Sequence, residues 1–503
     1  GVDFRLLKSF PTGLASAGYV NAGDLNGDGF ADMIALELVK DSKITVLLNN
    51  GSGDFSNKID LQIGLTTQKV SPVIADFDGD GRLDIAIGSD DGQIFVLRNN
   101  TTSPGNLLFD AYQTFIGGVD EELTDMKSAD IDGDGMTDIF ITNAISNKVT
   151  VLRNLSFPGG INFSSRTDYV LSGGSNVAPV SLASGDFDND GLIEIAVIGA
   201  NGGLRILKST SGPGQISLNQ IASFPKSKYF QKLSVGDLDN DGKTDIVTYG
   251  ILGYSVYKNT NQIKGVPSFM VDSQIEQDNA LLATQFSQIQ IADLDGDGLL
   301  DIGFSYSNMD DLGIINNLTV NGVLKLSKPK NLGLSAQTDL IIGDIDGDER
   351  PDIVGVRASN GELYVYKNII QPVTVTLLTP SIGKVGDDVV ITGTNFSTDK
   401  TKDVVYFGAT QAVVKNASAD GTSLTVTVPY GANNQNLTVT NLESGKTGYS
   451  ASPFKLIFQN SSGVDFRLLK SFPTGLASAG YVNAGDLNGD GFADMIALEL
   501  VKD

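Results

Sequence analysis

An acidic motif recurs seven times before residue 353, in phase with a strand pattern, and that period restricts the chain to a ring or stack of equivalent units. It reads DLNGDGFAD (Asp24–Asp32), DFDGDGRLD (Asp76–Asp84), DIDGDGMTD (Asp130–Asp138), DFDNDGLIE (Asp186–Glu194), DLDNDGKTD (Asp237–Asp245), DLDGDGLLD (Asp293–Asp301) and DIDGDERPD (Asp344–Asp352). The first Asp stands at 24, 76, 130, 186, 237, 293 and 344, so the step stays between 51 and 56 residues.

Each period has one anatomy. An alternating segment such as Val70–Ala75 runs into the motif, and an apolar segment such as Met33–Leu36 or Ile85–Ile87 leaves it. A third segment, such as Ile44–Leu48 or Leu363–Tyr366, often ends in Asn, and a weaker fourth closes the period, as in Ile216–Phe224. Four short strands per period with Gly and Asn turns predict a propeller blade. The seventh period lacks its fourth strand. Phe4–Phe10 precedes the first full blade and is expected to supply it, closing the ring and leaving no open flank.

The motif puts oxygen ligands at positions 1, 3, 5 and 9, with Gly usually at 6, while position 7 offers only its carbonyl. Loop one would use Asp24, Asn26, Asp28 and Asp32, with Phe30 at position 7. Loop two has Asp76, Asp78, Asp80 and Asp84 with Arg82; loop three has Asp130, Asp132, Asp134 and Asp138 with Met136. Loop four has Asp186, Asp188, Asp190 and Glu194 with Leu192; loop five has Asp237, Asp239, Asp241 and Asp245 with Lys243. Loop six has Asp293, Asp295, Asp297 and Asp301 with Leu299; loop seven has Asp344, Asp346, Asp348 and Asp352 with Arg350. The scatter at position 7 fits a residue that contributes backbone alone. Oxygen-only ligation without His or Cys favours Ca²⁺ over zinc or copper. The alternative is an Asp/Gly turn with no ion, in which close carboxylates would repel one another. In loop seven Glu349 replaces the position-6 Gly, at a cost on the order of 1 kcal/mol, so that site is expected to be the weakest.

Composition narrows the function classes. The 503 residues carry 60 acidic against 35 basic side chains, a formal charge of −25, which disfavours nucleic acid and anionic membrane as partners. The chain has no Cys, His or Trp. That removes disulfides, thiolate chemistry, the usual general base near neutral pH and the usual sugar-stacking residue. With the densest carboxylate clusters assigned to metal and no nucleophile elbow, an enzyme is not expected. No apolar run reaches membrane-spanning length. No signal peptide is visible and the chain opens on Gly1, which reads as a segment of a longer precursor.

Residues 372–458 change character: the motif stops and alternating segments such as Val389–Thr392, Val404–Phe407 and Ser423–Val428 predict an immunoglobulin-like sandwich. After a linker at 459–462, residues 463–503 repeat residues 1–41 without a change. The parent chain is read as a tandem array of 462-residue units; the alternative is an artificial overhang. The repeat supplies an eighth loop, with Asp486, Asn488, Asp490 and Asp494 and with Phe492 at position 7, and a second copy of the closing strand, Phe466–Phe472.

The loops over residues 1–371 resemble FG-GAP repeats, also called VCBS-type repeats, of integrin α heads and bacterial surface proteins. TPSIGKVGDDVVITGTNF (Thr379–Phe396), VVYFGATQAVV (Val404–Val414) and SLTVTVPYGA (Ser423–Ala432) resemble an IPT/TIG domain. The resemblance implies an all-β chain, a seven-bladed β-propeller plus an IPT/TIG sandwich, at a bacterial cell surface with calcium in the loops. The function expected is a structural or adhesive repeat unit of a giant surface protein or fibre, whose partners are neighbouring units. The alternative is a lectin-like or integrin-like propeller that binds a surface glycan or a protein.

Overall fold

The computed structural model describes residues 3–37, 43–63, 70–103, 105–118, 122–172, 177–200, 203–224, 230–250, 253–271, 286–306, 311–320, 322–334, 339–369, 373–408, 410–433, 435–442, 444–457, 479–485 and 494–499. Two compact units separate, residues 2–369 and a second that begins at residue 370.

The first unit is a seven-bladed β-propeller. Its seven four-stranded antiparallel sheets follow one another along the chain, and their first strands are neighbours all the way round, that of blade one lying beside that of blade seven. Blade one is Ala17–Gly23, Asp32–Glu37, Lys43–Leu48 and Asn57–Gln62. Blades two to six span Val73–Ile116, Leu123–Val170, Pro179–Phe224, Phe230–Val271 and Phe286–Asn331. Blade seven takes Asp339–Gly343, Asp352–Arg357 and Glu362–Asn368 from its own period and Phe4–Pro11 from the chain start. The closing pair is antiparallel, with Phe10 opposite Leu363 and Leu6 opposite Tyr366.

Burial explains the sequence pattern. Second strands such as Asp32–Glu37 are buried at every residue, because both faces of a blade pack against its neighbours. Hence they read as continuous apolar runs rather than alternations. Outer strands such as Asn57–Gln62 are half exposed and alternate. Each first strand ends in Gly or Ala immediately before the motif: Gly23, Ala75, Ala129, Gly185, Gly236, Ala292 and Gly343. At Gly23 a Cβ would lie 2.9 Å from Leu83 Cδ1 of the next blade, so the small side chain lets neighbouring blades approach.

In the second unit, residues 374–449 form a seven-stranded, nearly closed sheet sandwich. Its order is Thr374–Thr379, Asp388–Thr394, Ser423–Thr427, Thr410–Ala417, Asp403–Phe407, Leu437–Asn441 and Lys446–Tyr449. Thr410–Ala417 passes between both halves and shifts register between Val414 and Asn416. A parallel bridge from Val375 to Ser450 brings the two edges together. The alternating positions meet inside: Val389, Ile391, Val405, Phe407, Leu424, Val426 and Phe454 share one core. Ala479–Gly485 and Asp494–Glu499 form a hairpin in which Gly485 faces Asp494, as Gly23 faces Asp32 in blade one. Asp486, Asn488, Asp490, Phe492 and the segment Phe466–Phe472 lie outside the described residues.

Candidate metal centres

Each of the seven motifs between Asp24 and Asp352 forms the tight loop between the first and second strands of its blade, and the first Asp organises it. In loop two Asp76 Oδ1 accepts the Gly79 and Asp80 amides at 2.8 and 3.1 Å, and Oδ2 accepts Gly81 N at 2.8 Å. Asp80 Oδ1 accepts Arg82 N at 3.1 Å. Loop three repeats these bonds at Asp130 and Asp134 with nearly identical lengths. Two residues of each loop adopt positive φ, at positions 4 and 6. In loop two they are Gly79 at 72° and Gly81 at 85°. Position 4 was not singled out in the sequence, although its restriction to Gly and Asn is the mark of that conformation: Asn189 and Asn240 sit at 59° and 58°. Glu349 is held at 66°, so loop seven carries the expected backbone strain.

The loops bring the motif carboxylates together. One oxygen from each member lies within 4.8 Å of the others in Asp76/Asp78/Asp84, Asp130/Asp132/Asp138, Asp186/Asp188/Glu194, Asp237/Asp239/Asp245 and Asp293/Asp295/Asp297. In loop one Asn26 Nδ2 donates to Asp28 Oδ2 at 3.0 Å. In loop seven Asp344 receives the Gly347, Asp348 and Glu349 amides. Position 7 is not uniformly passive, for Arg82, Lys243 and Arg350 turn back onto the position-5 carboxylates Asp80, Asp241 and Asp348.

Position 9 does more than complete an acidic set. Asp84 Oδ2 accepts Phe77 N at 2.9 Å and Oδ1 accepts Asn99 N at 2.7 Å, tying the loop to the end of the third strand. Burial pushes Asp84 up to about 7, against the pull of the Asn99 and Phe77 amides. Asp32, Asp138, Glu194 and Asp301 are raised alike to about 7, and Asp245 and Asp352 to about 6, burial leading in each. A buried carboxylate beside other carboxylates is stabilised in its charged form by a cation. The donor set fits one. It is all oxygen, its members are close enough to share an ion, and Asp239 Oδ1 and Asp346 Oδ1 are buried with no hydrogen-bond partner.

Each loop is also stitched to the following blade. An Asn at the end of a third strand or two residues past it sends its Nδ2 to the position-2 carbonyl of the preceding loop. Asn99 reaches Leu25 O (2.7 Å), Asn154 reaches Phe77 O (2.8 Å), Asn259 reaches Phe187 O (2.8 Å), Asn317 reaches Leu238 O (2.6 Å) and Asn368 reaches Leu294 O (2.8 Å). Gly159 N and Gly214 N, from the next blades' outer hairpins, donate to Asp78 Oδ2 and Asp132 Oδ2 at 2.9 and 3.0 Å. The recurrent Asn was visible in the sequence, but its partner was not.

Residues 24–87, 76–141, 130–197 and 186–248 match the family described as FG-GAP-like repeat, and residues 372–456 match the IPT/TIG domain. The chain carries FG-GAP-like repeats and an IPT/TIG domain. No curated protein matches it. Among solved structures, an Agrocybe aegerita lectin described as recognising non-reducing terminal N-acetylglucosamine is 21% identical, with 70% of this chain and 93% of that one covered and a TM-score of 0.46. The BBS1N chain of a complex with ARL6DN is 16% identical, with 72% and 96% covered and a TM-score of 0.45. The Cps50 (Swd1) β-propeller domain of Myceliophteria thermophila is 9% identical, with 72% and 99% covered and a TM-score of 0.44. In this chain the FG-GAP-like loops of blades one to five fall within the matched residues, and those of blades six and seven repeat their geometry.

Proposed function

We propose that the chain is an extracellular structural or adhesive unit, not a catalyst, whose FG-GAP propeller is made rigid by calcium held in its loops. The observation that carries this reading is the double use of each loop. The loop that groups the carboxylates also offers its position-2 carbonyl to the next blade's Asn, as Phe77 O does to Asn154, and loop three is joined to blade four through Asp132 and the Gly214 amide instead. Fixing a loop therefore fixes a blade-to-blade joint, and a ring of such joints behaves as one stiff body. Positions 1, 3, 5 and 9 would hold the ion, which neutralises their charge. The backbone amides that already grip positions 1 and 5 keep those side chains in place for it. Extracellular modules bind calcium in the ~0.1–1 mM range, which suits a cell surface and not a resting cytosol. On this reading the 462-residue sequence period sets rigid propellers in series with IPT/TIG domains, and neighbouring units are the main partners.

The test is thermal unfolding in calcium and in excess EDTA. Binding to the folded state alone stabilises by mass action. A clear rise of the melting temperature with calcium is expected, and equal melting temperatures in the two conditions overturn the reading.

A further inference from the structure

Beside the acidic loops, the third strand presents one more side chain. The residue just before the Asn or Ser at or past the strand end is Arg98, Arg153, Lys208, Lys258 and Lys367 in blades two, three, four, five and seven. Arg98 Nε meets Asp78 Oδ2 at 2.5 Å and its Nη2 meets Asp80 Oδ2 at 2.9 Å. Arg153 grips Asp132 and Asp134 in the same way at 2.7 and 2.6 Å. Lys208 pairs with Asp188 and Asp190, Lys258 with Asp239, and Lys367 with Asp346 and Asp348. Blade one has Leu48 at this place, and there position 3 is the uncharged Asn26.

We propose that these side chains are built-in counter-cations. They hold positions 3 and 5 in place when metal is absent, and they weaken the loop's grip on calcium when it is present. The inference rests on the calcium reading above and concerns how the same site is regulated.

The geometry lets cation and metal share one carboxylate. In loops two and three the Arg and the next blade's Gly amide both take Oδ2 of position 3. In loop five Lys258 takes Asp239 Oδ2, and the buried Oδ1 has no partner. The cation therefore takes Oδ2 and not Oδ1, which in loops two and three accepts the position-5 amide at 3.2 Å and still has a lone pair for an ion. One hydrogen bond plus one metal–oxygen bond puts the two positive centres roughly 5 Å apart. Even with water-like screening, a unit and a double charge at that range repel by about a tenfold change in the equilibrium constant. Loops two, five and seven gain a second cation at position 7. They should be the first to release calcium as its concentration falls, and they should keep their shape when empty. The propeller then loses ions in steps rather than all at once.

Three proteins test this: wild type, Arg98→Leu, which copies blade one, and Arg98→Lys, which keeps the charge. Each is melted in excess EDTA and in saturating calcium, and each is titrated with calcium against a fluorescent chelator. Arg98→Leu should melt roughly 2–4 °C lower than wild type in EDTA, with most of the loss recovered in calcium. One equivalent of calcium should bind about tenfold tighter. Arg98→Lys should track wild type in both. Unchanged calcium binding by Arg98→Leu, or an equal melting loss in both conditions, overturns the proposal while leaving the calcium reading intact. A wild type that binds no calcium overturns both. If Arg98→Leu does not fold, Arg98→Gln is read by the same criteria.

Discussion

Asn49 Nδ2 donates to the carbonyl of Ile345 at 2.8 Å, joining blade one to the loop of blade seven across 296 positions of sequence. The same side chain donates to Ala31 O at 3.1 Å and accepts Gly51 N at 3.0 Å. The bond is the ring-closing member of the series that links every other pair of blades except three and four. There Ser209 replaces Asn and donates to Ser211 Oγ at 2.8 Å.

Asn49→Ala should therefore destabilise the propeller by about 1–3 kcal/mol, since it leaves buried polar groups without partners. Ser209→Ala should cost less, because the Ser209 hydroxyl donates to Ser211 within its own blade. Denaturant unfolding in calcium measures both, and a loss at Ser209 equal to or above that at Asn49 would refute the stitching role.

Loop seven offers a gain. Glu349 sits at φ 66°, where a Cβ is strained, so Glu349→Gly should stabilise by about 1 kcal/mol in calcium. The reverse exchange, Gly135→Glu in loop three, should destabilise by a similar amount, because φ there is 89° while a Cβ would meet no atom within 4 Å. Melting of both variants, one up and one down, is the expected pattern. By the same reasoning Asp80→Ala should cost more than Asp348→Ala, and equal losses would count against Glu349 as the weak point.

Asp125, on the first strand of blade three, ties that blade to the next. Its Oδ2 accepts Ser181 Oγ at 2.8 Å and Leu182 N at 3.1 Å. Burial pushes its carboxyl up, but Lys127, Lys232, Ser181 and the Leu182 amide together hold it below the usual range. A depressed pKa contributes stability above the unfolded value of about 3.9 and loses it as pH falls through the folded one. Asp125→Asn should thus be destabilising by about 1–3 kcal/mol at pH 7 and pH 5, with the gap to wild type closing only below about pH 4. Stability measured against pH for both proteins would show a gap that narrows well above pH 5 if this assignment were wrong.

Residues 1–371 should fold alone in calcium, because Phe4–Pro11 supplies the last strand of blade seven. Phe10 is buried edge-on against Phe55 with ring centres 5.7 Å apart, and Thr12 N and Oγ1 both donate to Gly361 O. Removing residues 1–11 from that piece should lower its stability by several kcal/mol, of which the Phe10 site alone accounts for about 3. Circular dichroism and size-exclusion chromatography decide it. A piece that unfolds with its first strand intact would mean that the ring needs a strand from elsewhere.

The division between sequence and tertiary structure follows the range of the physics. Blade number, strand order and the grouped carboxylates were legible, because they depend on local spacing. An Asp at every second position of a Gly-punctuated turn folds into a cluster wherever it stands, and an apolar run such as Met33–Leu36 announces a strand covered on both faces. The sandwich of residues 374–449 was legible for the same reason, through the alternation of Asp388–Thr394. Long-range partners were not. Nothing near Asn154 specifies Phe77 O, and nothing near Arg98 says that its guanidinium faces Asp78 and Asp80 rather than solvent. Those choices are made when seven blades close around one axis, and the angle between neighbouring sheets decides which polar groups are desolvated together. A buried donor must then find whichever acceptor the ring has brought to it.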